Sequence, residues 1–443
     1  MNRDLAIDAT RGLAIWSMIT AHFATGAAIA SPTHAFPYVD GMSAFVLLSG
    51  FVLGLVYHRW IDRHGLRFAY RRLTRRLVVL YLCQVLLAVV AVAAALAGHR
   101  WLTLLLPVDG WGDGLLRSLT LTYLPSGGNI LLMYMVFMAS AFVLFPVLMR
   151  GGWWLILVAS LALYVVSQTA APDWFYLTAD MAGPRIQNWA GWQIMFVPAV
   201  VIGWNWRRWD VAARIDRLLP LLPLLVALAL GVALSFHLLI EDGPLTPHLV
   251  TLADKLEFGP ARALGAWVLV PVVYGVFRLV LRFCHHDWLR PLVMTGTRSL
   301  DSYVIQAIAL IVVPIHVAHR PWSPLTMSAV AVTVFACCWA WAEFRRACEI
   351  DKLHRLPVIV VDAALPGRRH SPADTAATRD SPSTPDSPSA PDPRSTADIA
   401  ATVTIAAADP AADPAGEHRG HPCLESRPAE SPSADDLPVG VPR

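Results

Sequence analysis

The chain has 443 residues, of which 56% are hydrophobic and 15% charged, against roughly 25% charged in an ordinary soluble domain. That composition excludes a soluble globular domain and points to a polytopic membrane protein. A formal net charge of +3 gives no reason to expect a nucleic-acid partner, and its distribution matters more than its sum.

Taken in chain order, the first apolar run is long and has no small-residue cleavage pattern after it, so it is expected to stay as a true span. About ten spans are expected from the roughly 20 residues needed to cross the hydrocarbon core. They begin near Asp8, Gly41, Leu77, Ile130, Trp153, Trp189, Leu218, Ala261, Leu292 and Thr326. Arginines crowd alternate loops: Arg59 to Arg76 after the second span, then Arg150, Arg207 to Arg217, Arg278 to Arg290, and Arg345 to Arg355. The positive-inside rule therefore places both termini in the cytoplasm of a multi-pass protein of the plasma (inner) membrane. The expected fold is all-α, with an integral-membrane domain over residues 1–357. Residues 358–443 turn to Pro, Ser, Ala and Asp, as in SPSTPDSPSAPDP, and are expected to form a disordered cytoplasmic tail. Cys83, Cys284, Cys337, Cys338, Cys348 and Cys423 form no CxxC pair, so neither a disulfide framework nor a metal site is expected.

The stretch RGLAIWSMITAH puts Arg11 and His22 in one apolar helix. Eleven residues at 100° each return nearly to the same azimuth, so both side chains share a face, about 16 Å apart along it. An interhelical hydrogen bond would explain a membrane histidine. Ionisable groups inside spans nonetheless default to function, and histidine is the usual general base near neutral pH. In DGMSAFVLLSGFVLGLVYHR, Asp40 marks the start of the second span. It is placed either to orient the His22 imidazole or to cap the helix. Ser49 is a candidate oxyanion donor within that span, and Gly50 permits close helix approach. In YRRLTRRLVVLY, Arg71, Arg72, Arg75 and Arg76 satisfy the positive-inside rule and also form a face suited to phosphates. Gln193 is a second oxyanion candidate. Trp192 stands beside it among the aromatic residues Trp101, Trp111, Trp174, Tyr176 and Trp189, which suit sugar stacking or an interfacial belt.

Arg11-x10-His22, FVLLSGFVLGLVY and RRLTRRLVVLY resemble the opening of the OpgC-type membrane acyltransferases, relatives of the acyltransferase-3 superfamily. The resemblance continues through NILLMYMVFMASAFVLFPVLM, WAGWQIMFVPAVVIGW and TGTRSLDSYVIQ, over roughly residues 3 to 345. It implies that Arg11 and His22 are essential and that the Arg71–Arg76 segment lies beside an acyl donor. Two positions depart from the family pattern: Asn129 stands where an aspartate is frequent, and Gln306 where a histidine is common.

The resemblance implies an O-acyltransferase that moves a short acyl group, succinyl or acetyl, from cytoplasmic acyl-CoA to a hydroxyl of an envelope glycan or glycolipid. Acyl-CoA is then a co-substrate, no cofactor is resident, and the lipid bilayer is the remaining partner. The competing reading is a polytopic exporter of a glycan or lipid-linked sugar, with Arg11, His22 and Gln306 lining its pathway.

Overall fold

The computed structural model describes residues 4–34, 36, 39–99, 107–125, 127–178, 185–235, 252–283, 286–316 and 322–348. The expected tail, its domain boundary at residue 357, and Trp101 lie outside the described residues.

Helices run in chain order as α1 (Leu5–Phe23), α2 (Ser31–His34), α3 (Gly41–Leu96), α4 (Trp111–Leu119), α5 (Gly128–Met149) and α6 (Trp153–Thr169). A short ribbon follows, β1 (Tyr176–Thr178) and β2 (Arg185–Asn188), then α7 (Trp189–Trp204), α8 (Val211–Leu218) and α9 (Leu222–Ser235). The last helices are α10 (Pro260–Phe283), α11 (Arg290–Thr297), α12 (Ser299–His316) and α13 (Pro324–Ala347). Each expected span start falls in or at the edge of a helix, with Leu77 inside α3.

Among the described residues, four helices are long and apolar enough to cross a membrane: α3, α5, α10 and α13. The pair Asp287–Thr297 and Ser299–Ile315, bent by 80°, would make a fifth. The chain is thus a multi-pass membrane protein. The other segments fall short of the expectation for physical reasons. The α6 and α7 helices have 17 and 16 residues, under the roughly 20 that a full crossing needs, and α1 carries Asp8 and Arg11. Where a single span was expected from Leu292, the helix is broken at Arg298, between α11 and α12. The all-α expectation is corrected by the antiparallel ribbon, which pairs Tyr176 with Asn188 and Leu177 with Gln187. Tyr176, Thr178 and Ile186 are residue types that favour strands.

The centre of the bundle is α1, with 14 of its 19 residues buried, Asp8, Thr10 and Arg11 among them. It packs against α3 and α10 to α13. Its start is pinned by Asp4, whose carboxylate accepts from Ala6 N at 3.0 Å and from Tyr274 Oη at 2.7 Å. Glycines set the closest helix approaches. A Cβ at Gly54 would lie 2.1 Å from Val200 O, and one at Gly203 would lie 2.1 Å from Phe51 O. With Gly50 against Phe196 O, these residues let the α3 and α7 backbones touch, as small residues do in membrane bundles.

The long α3 element is interrupted at Gly65, where φ is 78° and ψ is 170°. This is a region open essentially to glycine alone. Nothing lies within 4 Å of a Cβ built there, so strain rather than crowding is the obstacle to a side chain. Gly65→Ala is expected to destabilise the bundle by about 1–3 kcal/mol, seen as a lowered unfolding midpoint in detergent. An unchanged midpoint would show that α3 can rebuild its corner without glycine.

Candidate functional site

Two charged ends of the bundle and a buried polar middle define the site. At one end, His22 occupies the last turn of α1 and is exposed. Asp40 and Lys255 both lie close enough for their charges to act on it. Among the described residues no hydrogen bond reaches its ring. Asp40 caps α3, its Oδ1 accepting from Ser43 N at 2.9 Å and from Ser43 Oγ at 2.8 Å. Its Oδ2 lies 3.1 Å from Lys255 Nζ and 3.6 Å from Arg262 Nη1. Asp40 is therefore a helix cap and an ion-pair centre, and the Asp–His hydrogen bond of a catalytic dyad is not formed.

Burial alone would push the Asp40 carboxyl up, but Lys255, Arg262 and the two Ser43 hydrogen bonds hold it below the usual carboxylate range. A depressed folded-state value means that the charge stabilises the fold above the unfolded-state value, about 3.9. That contribution is lost as pH falls through the folded-state value. The stability gap between wild type and Asp40→Asn should accordingly be full near neutrality and should shrink once the pH drops below about 4. Thermal unfolding across pH checks this, and a gap that persists undiminished well below that range would contradict it.

Trp192 is fully buried. It donates its indole N–H to Lys255 O at 3.1 Å and packs its ring 4.2 Å from Phe258. It holds the segment that carries Lys255 rather than presenting a face to a sugar. Gln193 is held by α6: Ser160 Oγ donates to its Oε1 at 2.6 Å and its Nε2 donates to Ser160 O at 2.7 Å. That fixes the amide against Ser160 and leaves one of its two N–H donors for any other acceptor. Of the other aromatic residues, Trp174 and Trp111 are exposed, and Trp174 stands 5.8 Å from Trp189, whose N–H it binds through its carbonyl.

At the other end, the four arginines divide by helical azimuth. Arg71 and Arg75 are exposed, while Arg72 and Arg76, one turn apart, are half-buried. Arg72 lies 5.4 Å from the Trp60 ring centre and 5.1 Å from that of Phe68. The charges of Arg72 and Arg76 both act on buried Tyr57. None of the four arginines has a carboxylate partner among the described residues. By helix rise, Tyr57 lies about 24 Å along α3 from its Asp40 end.

Between these ends Arg11 is buried, with its guanidinium 5.9 Å from the Phe45 ring centre. Phe45 also lies 6.1 Å from both Tyr134 and Tyr303. Ser49, one turn beyond Phe45, is buried with no hydrogen-bond partner for its Oγ among the described residues. The broken helix backs onto the same stretch of α1, with Gly12 against Leu292 O and Gly296 against Asp8 O. Asn129 donates to Gln187 Oε1 at 3.1 Å, tying α5 to the ribbon instead of offering a carboxylate.

Lys255, Arg262 and Gln84 belong to this arrangement and lie outside the quoted motifs, while Tyr303 lies within TGTRSLDSYVIQ with nothing local to mark it out. The first two did leave a signal, as cations on the side of the bundle poorest in basic residues. No curated protein and no solved structure matches the chain. Residues 3–349 match the OpgC protein family. The chain therefore belongs to the OpgC family and is a membrane-associated enzyme of the glycan-modifying acyltransferase type.

Proposed function

We propose that the protein transfers a short acyl group, succinyl or acetyl, from cytoplasmic acyl-CoA to a hydroxyl of an envelope glycan or glycolipid. In this reading the protein sits in the inner membrane with about ten helical segments crossing it and both termini in the cytoplasm. The arginine end then faces the cytosol and the His22 end faces the acceptor. One observation carries the reading. Arg72 and Arg76 turn toward the bundle with no acidic partner among the described residues, at the opposite end from His22 on a shared polar interior.

CoA phosphates would lie against Arg72 and Arg76, where guanidinium groups make their strongest hydrogen bonds. The arm would pass Arg11 toward His22, about 16 Å further along α1 by helix rise. His22 would take the proton from the acceptor hydroxyl as its oxygen attacks the thioester carbonyl. The C–S bond breaks, and the departing thiolate recovers that proton from the imidazolium. Ser49, whose Oγ has no hydrogen-bond partner among the described residues, is the side chain we assign to donate to the oxyanion. Asp40 and Lys255 set the charge around the imidazole without contacting it.

Membrane vesicles given acyl-CoA labelled in the acyl group test the proposal. Label should appear in glycan, and mass spectrometry of the product names the acyl group. Label remaining on CoA would remove the enzyme reading. The exporter alternative gains no support from the family match.

A further inference from the structure

Gln84 lies in the second half of α3, within the apolar run VVLYLCQVLL. Its side chain is 0% exposed, and neither its Nε2 nor its Oε1 has a hydrogen-bond partner among the described residues. Protein interiors pair nearly all such groups, and an unpaired amide is costlier still away from water in a bilayer. Ser49 Oγ and Gln306 Oε1, both in side chains over nine-tenths buried, share that state.

These groups are joined by contacts around one turn. A Cβ at Gly128 would lie 2.7 Å from Gln84 Nε2, while one at Gly127 would lie 3.1 Å from Ala307 Cβ. Tyr303 donates to Gly127 O at 2.5 Å, one turn before Gln306 on α12. Tyr303 in turn faces Phe45, one turn before Ser49. Gln84 and α12 thus meet at the Gly127–Gly128 turn, and Tyr303 and Phe45 connect that turn to Arg11 and to the stretch of α3 that carries Ser49.

We propose that Gln84 is the hydrogen-bond partner of an amide in the pantetheine arm of the donor, with Gln306 and Ser49 lining the same passage. The assignment rests on the acyl-CoA reading above. Helix rise puts Gln84 about 12 Å beyond Arg76 along α3. In an extended arm both amides are on the order of 10 Å from the phosphate, from bonds near 1.5 Å. The one nearer the phosphate is the one assigned to Gln84, because the rest of the arm must still pass Arg11 toward His22. A secondary amide offers one N–H and one C=O. The Gln84 carboxamide is able to answer both. A phosphate or a carboxylate would call instead for a cation at this level of α3.

The test compares two donors on the full-length protein in liposomes: acyl-CoA and the acyl thioester of ethanethiol, which has no amide. Gln84→Leu should lower kcat/KM for acyl-CoA about tenfold and leave the ethanethiol thioester within about twofold. Equal losses with both donors, or no loss with either, would overturn the assignment. Should Gln84→Leu fail to fold, Gln84→Met keeps the length, and Gly128→Ala presses on the amide from outside; either should give the same split between donors. A succinyl and an acetyl donor should suffer equally, because a penalty confined to succinyl would mean that Gln84 reads the acyl group. Wild-type protein that uses neither thioester would refute the acyltransferase reading itself. Wild-type transfer without the split would refute only the role of Gln84.

Discussion

His22→Ala is expected to lower acyl transfer by at least about 100-fold, the smaller end of what a positioned general base contributes, while the protein still inserts and folds. Folding should be spared because the imidazole is exposed at the end of α1 and makes no hydrogen bond to a described residue. Its loss leaves no buried group stranded, unlike the loss of Asp40, the ion-pair partner of buried Arg262. The measurement is transfer from labelled acyl-CoA by reconstituted protein, paired with a folding readout such as gel-filtration profile. Substantial residual activity would count against His22 as the base. His22→Gln should be as inactive as the alanine variant, since an amide has no basic nitrogen at neutral pH.

The second large effect is expected from Arg72→Ala combined with Arg76→Ala. Each hydrogen bond to a charged group contributes about 1.5–3 kcal/mol, so the pair should raise the donor KM on the order of 100-fold or more. The acceptor KM should stay within a few-fold. Arg71→Ala with Arg75→Ala serves as the control, because it removes the same charge from the exposed face of the same two turns. If both double variants shift the donor KM alike, the arginines act as a diffuse field and not as a phosphate seat.

Much of this arrangement is legible in the sequence. Helical spacing alone puts Arg11 and His22 on one face, and the apolar runs place the helices. What spacing cannot supply is the angle at which one helix meets another. For that reason four arginines read as one face, although their azimuths split them into an inward and an outward pair. Lys255 and Arg262 meet Asp40 across more than 200 residues of chain, a distance over which no local pattern operates. Gln193 illustrates the opposite limit: a glutamine in an apolar run invites a catalytic role, yet Ser160 engages both of its polar atoms. Gln84 sits in a similar run and is left unmatched among the described residues. Only tertiary partners separate these two glutamines. Helix number is likewise read too simply from hydropathy, since a helix wrapped in protein, such as α1, need not satisfy the length and apolarity that lipid demands.

Beyond Gly65, α3 continues unbroken through Arg72, Arg76 and Gln84. The direction in which all three side chains aim is therefore set by a residue count from that single corner. One amino acid gained between Gly65 and Arg72 would swing them together through about 100°, delivering Arg71 and Arg75 to the interior in their place, and one lost would deliver Leu73 and Leu77. Evolution can vary the chemistry of this stretch far more freely than its length, and any tolerated change in length should come in whole helical repeats.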